Sequence, residues 1–287
     1  MFIINRGNVK TGLLRKAMKR IAKELKLALK IGFFDSGIGG LSVLHQALKV
    51  LPPEEYLFYA DSDHVPYGEK TSEEIARYAD EAVRFLLQEG AGAIVVACNT
   101  ATSVAIELLR RKYSVPILGV EPAVKPAVEQ SGGGRVLVVA TPVTVREKKL
   151  RDLIDRVDRR HIVDLQPLPE LVRFAERLEF RSDAVTSYLR GAFSDRTLSD
   201  YTFLVLGCTH FNYFKDTFRE VFPQQTSILD SCAGTVHHLA KILKESGMPE
   251  SRACSVAYYR SGRKVTEPES LRQMDCLLRR LDKMALL

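Results

Sequence analysis

The feature that most constrains this chain is an alternation of short, continuously apolar runs with segments of helical period. Ile31–Phe34, Tyr56–Tyr59, Ala93–Ala97, Ile117–Val120, Val136–Ala140 and Phe203–Leu206 read as strands. None alternates apolar with polar residues, which is the pattern of parallel strands covered on both faces. Between them, Glu73–Gln88, Ala101–Lys112 and Thr144–Arg156 place apolar residues at helical spacing with charged outer faces. Alternation of this kind specifies an α/β fold of parallel sheets built from βαβ units.

The pattern carries an internal echo. Ile31-Gly-Phe-Phe-Asp-Ser-Gly37 is matched by Val136-Leu-Val-Val-Ala-Thr-Pro142, in each case a strand followed by a hydroxyl residue. Each is followed by a strand ending in Cys, Val95-Val-Ala-Cys-Asn-Thr100 and Val205-Leu-Gly-Cys-Thr-His210, with 63 residues from Asp35 to Cys98 and 67 from Thr141 to Cys208. Two similar half-chains, each presenting one Cys at the carboxyl end of a strand, are the simplest reading. Open α/β sheets bind ligands at that end, so the halves should face each other across a cleft. Ser131-Gly-Gly-Gly134 marks the loop before the second half.

Composition excludes several classes. With 46% hydrophobic and 27% charged residues over 287 positions, the chain supports a large buried core and is not of disordered or fibrous type. No apolar run approaches the roughly 18–20 residues of a membrane span. The formal charge of +7 is local: residues 1–30 hold nine Lys/Arg and one acid, Glu24, and the rest is close to neutral. The body is therefore not a nucleic-acid surface. Residues 11–29 place Leu14, Met18, Ile21, Leu25 and Ala28 on one face of a basic amphipathic helix, which either meets a membrane or partner or packs on its own domain. Five scattered cysteines without a CxxC pair or a secretory leader point to reduced thiols and a cytoplasmic protein.

Three motifs carry chemistry. Asp35-Ser-Gly-Ile-Gly-Gly-Leu-Ser42 follows a strand and opens a helix, so its N–H groups either hold a small carboxylate or simply make a tight turn. Ser42 stands where a dinucleotide fingerprint needs Gly or Ala. Cys98 and Cys208, at strand ends before helical segments, lie where a thiolate is favoured. A matched thiol pair suits removal of a proton from one face of a carbon and its return to the other. Cys232, Cys254 and Cys276 lack this setting and read as inert. Asp35 and His210 stand where they orient or deprotonate a thiol, or merely bond within loops. Asp61–Gly68 is a polar loop in which Tyr67 and backbone N–H groups either hold a carboxylate or serve the turn. Cys208-x-His210 and His237-His238 give no metal-ligand spacing.

Taken together, Asp35-Ser-Gly-Ile-Gly-Gly-Leu-Ser-Val43, Pro66-Tyr-Gly68, Ala97-Cys-Asn-Thr-Ala-Thr102, Gly119-Val-Glu-Pro-Ala123 and Leu206-Gly-Cys-Thr-His-Phe211 resemble the signature blocks of bacterial glutamate racemases, from about Ile31 to Ser231. The resemblance implies two similar Rossmann-like domains with parallel sheets facing a central cleft. Residues 31–122 plus 231–287 would form the first domain and 123–230 the second, with 1–30 as an extension. It implies interconversion of L- and D-glutamate without cofactor or metal, supplying D-glutamate for peptidoglycan. Cys98 would act on D-glutamate and Cys208 on L-glutamate, with Asp35 near the first thiol and His210 and Glu176 near the second. Substrate contacts carry over to Asp35, Ser36, Pro66, Tyr67, Gly68, Asn99, Thr100, Thr141, Thr144, Thr209 and His210. A homodimer, and a cell-wall precursor as activator, are further implications. The chain departs from the family pattern at Glu147 and Lys149, at Asn212, and at Ser261-Gly-Arg263. Two other readings stay open: a racemase for aspartate or a related amino acid, and a non-catalytic binding protein on this fold. A single-Cys hydrolase would need only one of the two thiols.

Overall fold

The computed structural model describes residues 30–246 and 254–287. The basic helix expected over 11–29 lies outside them. The first stretch runs β1 (Lys30–Asp35), α1 (Leu41–Val50), β2 (Glu55–Ala60), α2 (Ser72–Gln88), β3 (Ala91–Val96), α3 (Asn99–Lys112) and β4 (Ile117–Gly119). The second runs α4 (Val124–Gln130), β5 (Arg135–Ala140), α5 (Pro142–Arg146), α6 (Lys148–Val157), β6 (Val163–Pro167), α7 (Pro169–Glu176), α8 (Asp183–Ala192), β7 (Tyr201–Gly207), α9 (Lys215–Val221) and β8 (Ser227–Leu229). The chain closes with α10 (Cys232–Ser246), β9 (Ser255–Arg260), β10 (Arg263–Lys264) and α11 (Pro268–Met284).

Two sheets result. One has the order β10-β9-β2-β1-β3-β4 and the other β6-β5-β7-β8. All pairings are parallel except β9 with β10. The order β2-β1-β3-β4 is repeated as β6-β5-β7-β8, so the echo in the sequence is a repeat of topology. After the second sheet the chain returns to the first, where β9 pairs with β2.

Burial explains the unbroken apolar runs. Ile31 and Phe33 of β1 point into a core shared by both sheets, together with Leu137 and Val139 of β5 and Leu204 and Leu206 of β7. Phe34 points the other way, into a second cluster under α2 and α3. Val136, Val138 and Val205 cover the far face of the other sheet beneath α4 and α6. Successive strand residues thus bury on opposite faces, and both faces are apolar.

Local chemistry sets the helix ends. Thr71 and Glu74 form a reciprocal capping box at the start of α2. Arg110, Arg111 and Lys112 close α3, where cations oppose the negative end of the helix dipole.

One expectation changes, and two elements carried no reading. The single helix read over Thr144–Arg156 is broken at Glu147, which is extended (φ −69°, ψ 140°). Val143 packs in the first sheet's outer cluster and Leu150 in the second's, and one straight helix does not reach both. The edge strand β6 has no apolar run to announce it: Asp164 is held by Arg135 through two 2.7 Å bonds instead of by core packing. The Ser261-Gly262 pair, both with positive φ (43° and 80°), makes the two-residue hairpin between β9 and β10.

Candidate active site

β1 lies between β2 and β3, so the connections leave it in opposite directions. The crevice at the carboxyl ends of β1 and β3 is the topological switch point of the sheet. Asp35 ends β1 and Cys98 follows β3, and both are buried. In the repeated unit Thr141 follows β5 and Cys208 follows β7, also buried. The two thiols lie close enough that charge on Cys208 opposes charge on Cys98.

Each thiol is backed by a polar relay that ends in a carboxylate. Cys98 caps α3, its sulfur accepting from Ala101 N–H at 3.4 Å. Its thiol reaches Ser36 Oγ at 3.6 Å, and Ser36 reaches Asp35 Oδ1 at 3.4 Å. Asp35 also accepts from Gly37 N–H (2.7 Å) and, from the other half, from the Thr209 hydroxyl (2.9 Å). In the second relay Cys208 Sγ lies 3.8 Å from His210 Nδ1, and His210 Nε2 lies 2.6 Å from Glu176 Oε1. Glu176 accepts in addition from Ile38 N–H at 2.8 Å. A hydroxyl joins thiol to carboxylate in one half, an imidazole in the other.

The electrostatics differ accordingly. Burial lifts Asp35 from 3.8 to about 6, against the pull of the His210 charge, Gly37 and Thr209. Burial and then the Asp35 charge push the Cys98 thiol up to about 12, outweighing Ala101 N–H and Ser36. The sequence reading expected the helix N-terminus to favour a Cys98 thiolate; here desolvation wins. Burial disfavours charge on His210, but the Cys208 sulfur and Glu176 on its two ring nitrogens hold its proton well above the usual histidine range. Cys208 is followed by the 3-10 helix Thr209–Phe214 and caps nothing with its sulfur, so the two settings are not copies.

The Gly-rich loop does cradle carboxylates, and they belong to the protein. Gly37 N–H serves Asp35 and Ile38 N–H serves Glu176. A Cβ at Gly39 would run into the His210 ring and the Thr209 hydroxyl, so close approach of the two halves requires glycine there.

The other candidates line the same junction. Thr100 Oγ1, at the start of α3, lies 2.8 Å from Thr141 Oγ1 and 3.3 Å from Thr144 Oγ1, joining three hydroxyls across the halves. Asn99 donates to the Val120 carbonyl. Gly68 packs on Thr141, which places Pro66-Tyr67-Gly68 at the mouth. Tyr67 sends its hydroxyl to Asp61 Oδ2 at 2.6 Å, so it does not offer that hydroxyl to a carboxylate as the sequence allowed. Asp61 itself escaped the sequence reading. It is buried, holds Tyr67, His64 and Ser261, and its signal is an acid directly after an apolar strand, as at Asp35. Cys232, read as an inert hydrophobe, bonds to Ser42 and Asn212. All five cysteines are unpaired. Among the described residues no group of three or more His, Cys, Asp and Glu is arranged to hold a metal ion, and no helix is long and apolar enough to cross a membrane.

A family model described as Asp/Glu/Hydantoin racemase matches residues 40–239. The glutamate racemase of Lachnospira eligens is 51% identical over 262 residues, covering 89% of this chain and 99% of that one. The chain belongs to the Asp/Glu/Hydantoin racemase family. Within it the chain groups with the glutamate racemases, and it is an isomerase. Glutamate racemase 2 of Bacillus subtilis is 43% identical over 257 residues, covering 89% and 97%. Among solved structures, Escherichia coli glutamate racemase with L-glutamate and the activator UDP-MurNAc-Ala superposes with a TM-score of 0.77 at 29% identity, covering 88% and 95%. The Thermus thermophilus enzyme with beta-chloro-D-alanine gives 0.70 at 32% identity, covering 88% and 93%.

Proposed function

We propose that this chain interconverts L- and D-glutamate by a two-thiol mechanism at the junction of its two sheets, without a cofactor. The observation that carries this reading is the paired relay, Cys98–Ser36–Asp35 facing Cys208–His210–Glu176. One sulfur, as thiolate, takes the α-proton: the C–H bond breaks, an S–H bond forms, and the electron pair stays on the α-carbon, delocalised into the carboxylate. The other thiol delivers its proton to the opposite face, its S–H bond breaking as the new C–H bond forms. Atoms and electrons balance with no further reagent. The two sulfurs end with exchanged protonation and must be reset before the next turnover in the same direction. Burial holds the proton on Cys98, and His210 beside Cys208 keeps its own proton well above the usual histidine range.

The α-proton is a very weak acid, so its removal requires exclusion of water and donors aimed at the developing charge. Burial of both thiols meets the first need. The hydroxyls of Thr100, Thr141, Thr144 and Thr209, with Asn99 and the Pro66-Tyr67-Gly68 backbone, are the groups assigned to the substrate's carboxylates and ammonium. The same reading gives the two sheets separate domains, 31–122 with 231–287 and 123–230. It makes the product D-glutamate a supply for peptidoglycan in the cytoplasm of a homodimeric enzyme. Activation by a wall precursor is part of it, supported by the activator named with the E. coli relative.

The test is incubation of the purified full chain with either enantiomer in D₂O, following optical activity and α-proton exchange, with and without UDP-MurNAc-Ala. Loss of optical activity with deuterium at Cα, abolished by Cys98→Ala and by Cys208→Ala, is expected. No exchange from either enantiomer even with the activator would overturn the reading. Sedimentation reads the oligomeric state directly.

A further inference from the structure

Behind the Gly-rich loop lies a buried polar seam to which the proposed proton transfers assign no part. Ser42 on α1, Asn212 on the 3-10 helix Thr209–Phe214 and Cys232 at the start of α10 meet there, all three buried. Asn212 Nδ2 donates to the Thr209 carbonyl at 3.1 Å and to Ser42 Oγ at 3.4 Å, and lies 3.8 Å from the Cys232 sulfur. Ser42 Oγ donates to the Gly39 carbonyl at 2.8 Å, with the Thr209 carbonyl 3.4 Å away. Cys232 donates to Ser42 Oγ at 3.6 Å.

Four hydrogens serve the shortest bonds of the seam, and the Asn212–Cys232 and Ser42–Thr209 contacts are secondary. An amide NH₂ has two, and a hydroxyl and a thiol one each. Those of Asn212 go to Thr209 and Ser42, that of Ser42 to Gly39, and that of Cys232 to Ser42. Burial and the neighbouring Asp230 charge keep Cys232 protonated and therefore a donor.

The seam converges on Thr209. Asn212 holds its carbonyl, and its hydroxyl crosses to Asp35 Oδ2 at 2.9 Å. Gly39, which receives Ser42, is the residue whose Cα faces Thr209 and His210. The seam thus sets the Gly-rich loop of one half against the strand-end turn of the other at a single spacing. We infer that Asn212, supported by Ser42 and Cys232, is a positioning residue for racemisation, holding Thr209 so that its hydroxyl is aimed at the Asp35 carboxylate behind Cys98.

This assignment rests on the proposed role of Asp35. The charged and titratable groups facing Asp35 are His210 and Glu176 from the second half, Cys98 from its own, and the Tyr213 phenol. Against Glu176 and burial, the carboxylate has the His210 charge, two close donors in Gly37 N–H and the Thr209 hydroxyl, and the longer Ser36 contact at 3.4 Å. Losing the aim of one weakens the charged form.

The test uses the full chain with Asn212→Ala, Thr209→Val and the double variant. Asn212→Ala should lower kcat about tenfold, change KM far less, and move the acid limb of kcat/KM upward by about one pH unit. Thr209→Val should move the limb equally, and the double variant should be no worse than Thr209→Val alone. Asn212→Leu, similar in size but without a donor or a charge, should behave as Asn212→Ala. If Asn212→Ala melts far below the wild type, Cys232→Ala removes only the outermost donor and should move the limb the same way by less. An unmoved limb, or losses that multiply in the double variant, would overturn the assignment. A wild-type chain that racemises nothing would sink the functional reading alone. The Asp35 carboxyl titration followed by ¹³C NMR, expected to shift upward in Asn212→Ala, then decides this one.

Discussion

At the residue scale, Asp35 shows an active site held against stability. Its carboxyl is fully buried and raised from 3.8 to about 6, so the folded chain binds this proton more tightly than the unfolded chain does. Between those two pH values the folded state carries a proton that the unfolded state lacks. Folding stability therefore falls as pH rises through that window, and the cost, about 3 kcal/mol, is complete above it. Asp35→Asn removes the charge but leaves a single acceptor oxygen where Gly37 and Thr209 both donate, which returns part of the gain. The expected outcome is racemisation lowered at least about a hundredfold and a melting temperature above wild type at pH 8. The difference should vanish below about pH 4. Melts that coincide at every pH would show that the carboxyl is not strained by burial.

At the element scale, α2 and the turn before it show how ordinary capping chemistry carries functional geometry. The helix begins at Ser72, three residues after the 3-10 turn Tyr67–Glu69 that follows Pro66. Its start is set by Thr71 Oγ1 accepting from Glu74 N–H at 3.2 Å and Glu74 returning a bond to Thr71 N–H at 2.9 Å. Thr71→Ala should cost about 1 kcal/mol and lower the melting temperature by roughly 2–4 °C, with KM for glutamate within twofold of wild type. A large rise in KM at unchanged stability would instead make the cap part of the substrate loop. The break between α5 and α6 shows the opposite case. There tertiary packing overrides a helical pattern, because Val143 and Leu150 belong to different cores.

At the scale of the whole molecule, both thiols are buried, and on the two-domain reading proposed above substrate enters as the halves part. The contacts that bridge the mouth then set the balance between open and closed. The outermost is a forked pair: Arg173 reaches both oxygens of Glu69, at 2.6–3.0 Å. Glu69 directly follows Pro66-Tyr67-Gly68, and Arg173 sits one turn before Glu176 on α7. Exposed pairs add little to global stability, yet this one links the substrate loop to the helix carrying the partner of His210. Arg173→Glu should raise KM several-fold for both enantiomers while leaving the melt almost unchanged, and exchanging the charges with Glu69→Arg should recover most of the loss. Wild-type KM should rise with ionic strength, whereas KM of a Glu69→Gln, Arg173→Gln variant, which has no charges to screen, should not. A KM indifferent to all three changes would remove the pair from the closing step.

The parallel α/β fold, the repeat and both thiols were legible in the residues themselves. Apolar runs covered on two faces and a Cys after each third strand are local patterns, and local patterns survive without coordinates. Strands β6 and β9 were not legible: β6, at an edge, replaces the apolar run with Asp164 held by Arg135, and β9 opens on exposed and half-buried residues before its buried Tyr258 and Tyr259. Nor were the contacts that Asp61, Asn212 and Cys232 make across the chain: Asp61 and Ser261 are 200 residues apart, Asn212 and Ser42 170, and Cys232 and Ser42 190. The charge state of the thiols was the hardest to foresee. A helix N-terminus is written in the sequence and argues for a Cys98 thiolate. The Asp35 carboxylate that argues against it comes beside Cys98 only when β1 pairs with β3, and the depth of burial only when the whole chain packs, because desolvation belongs to the packed assembly and not to any segment of the chain.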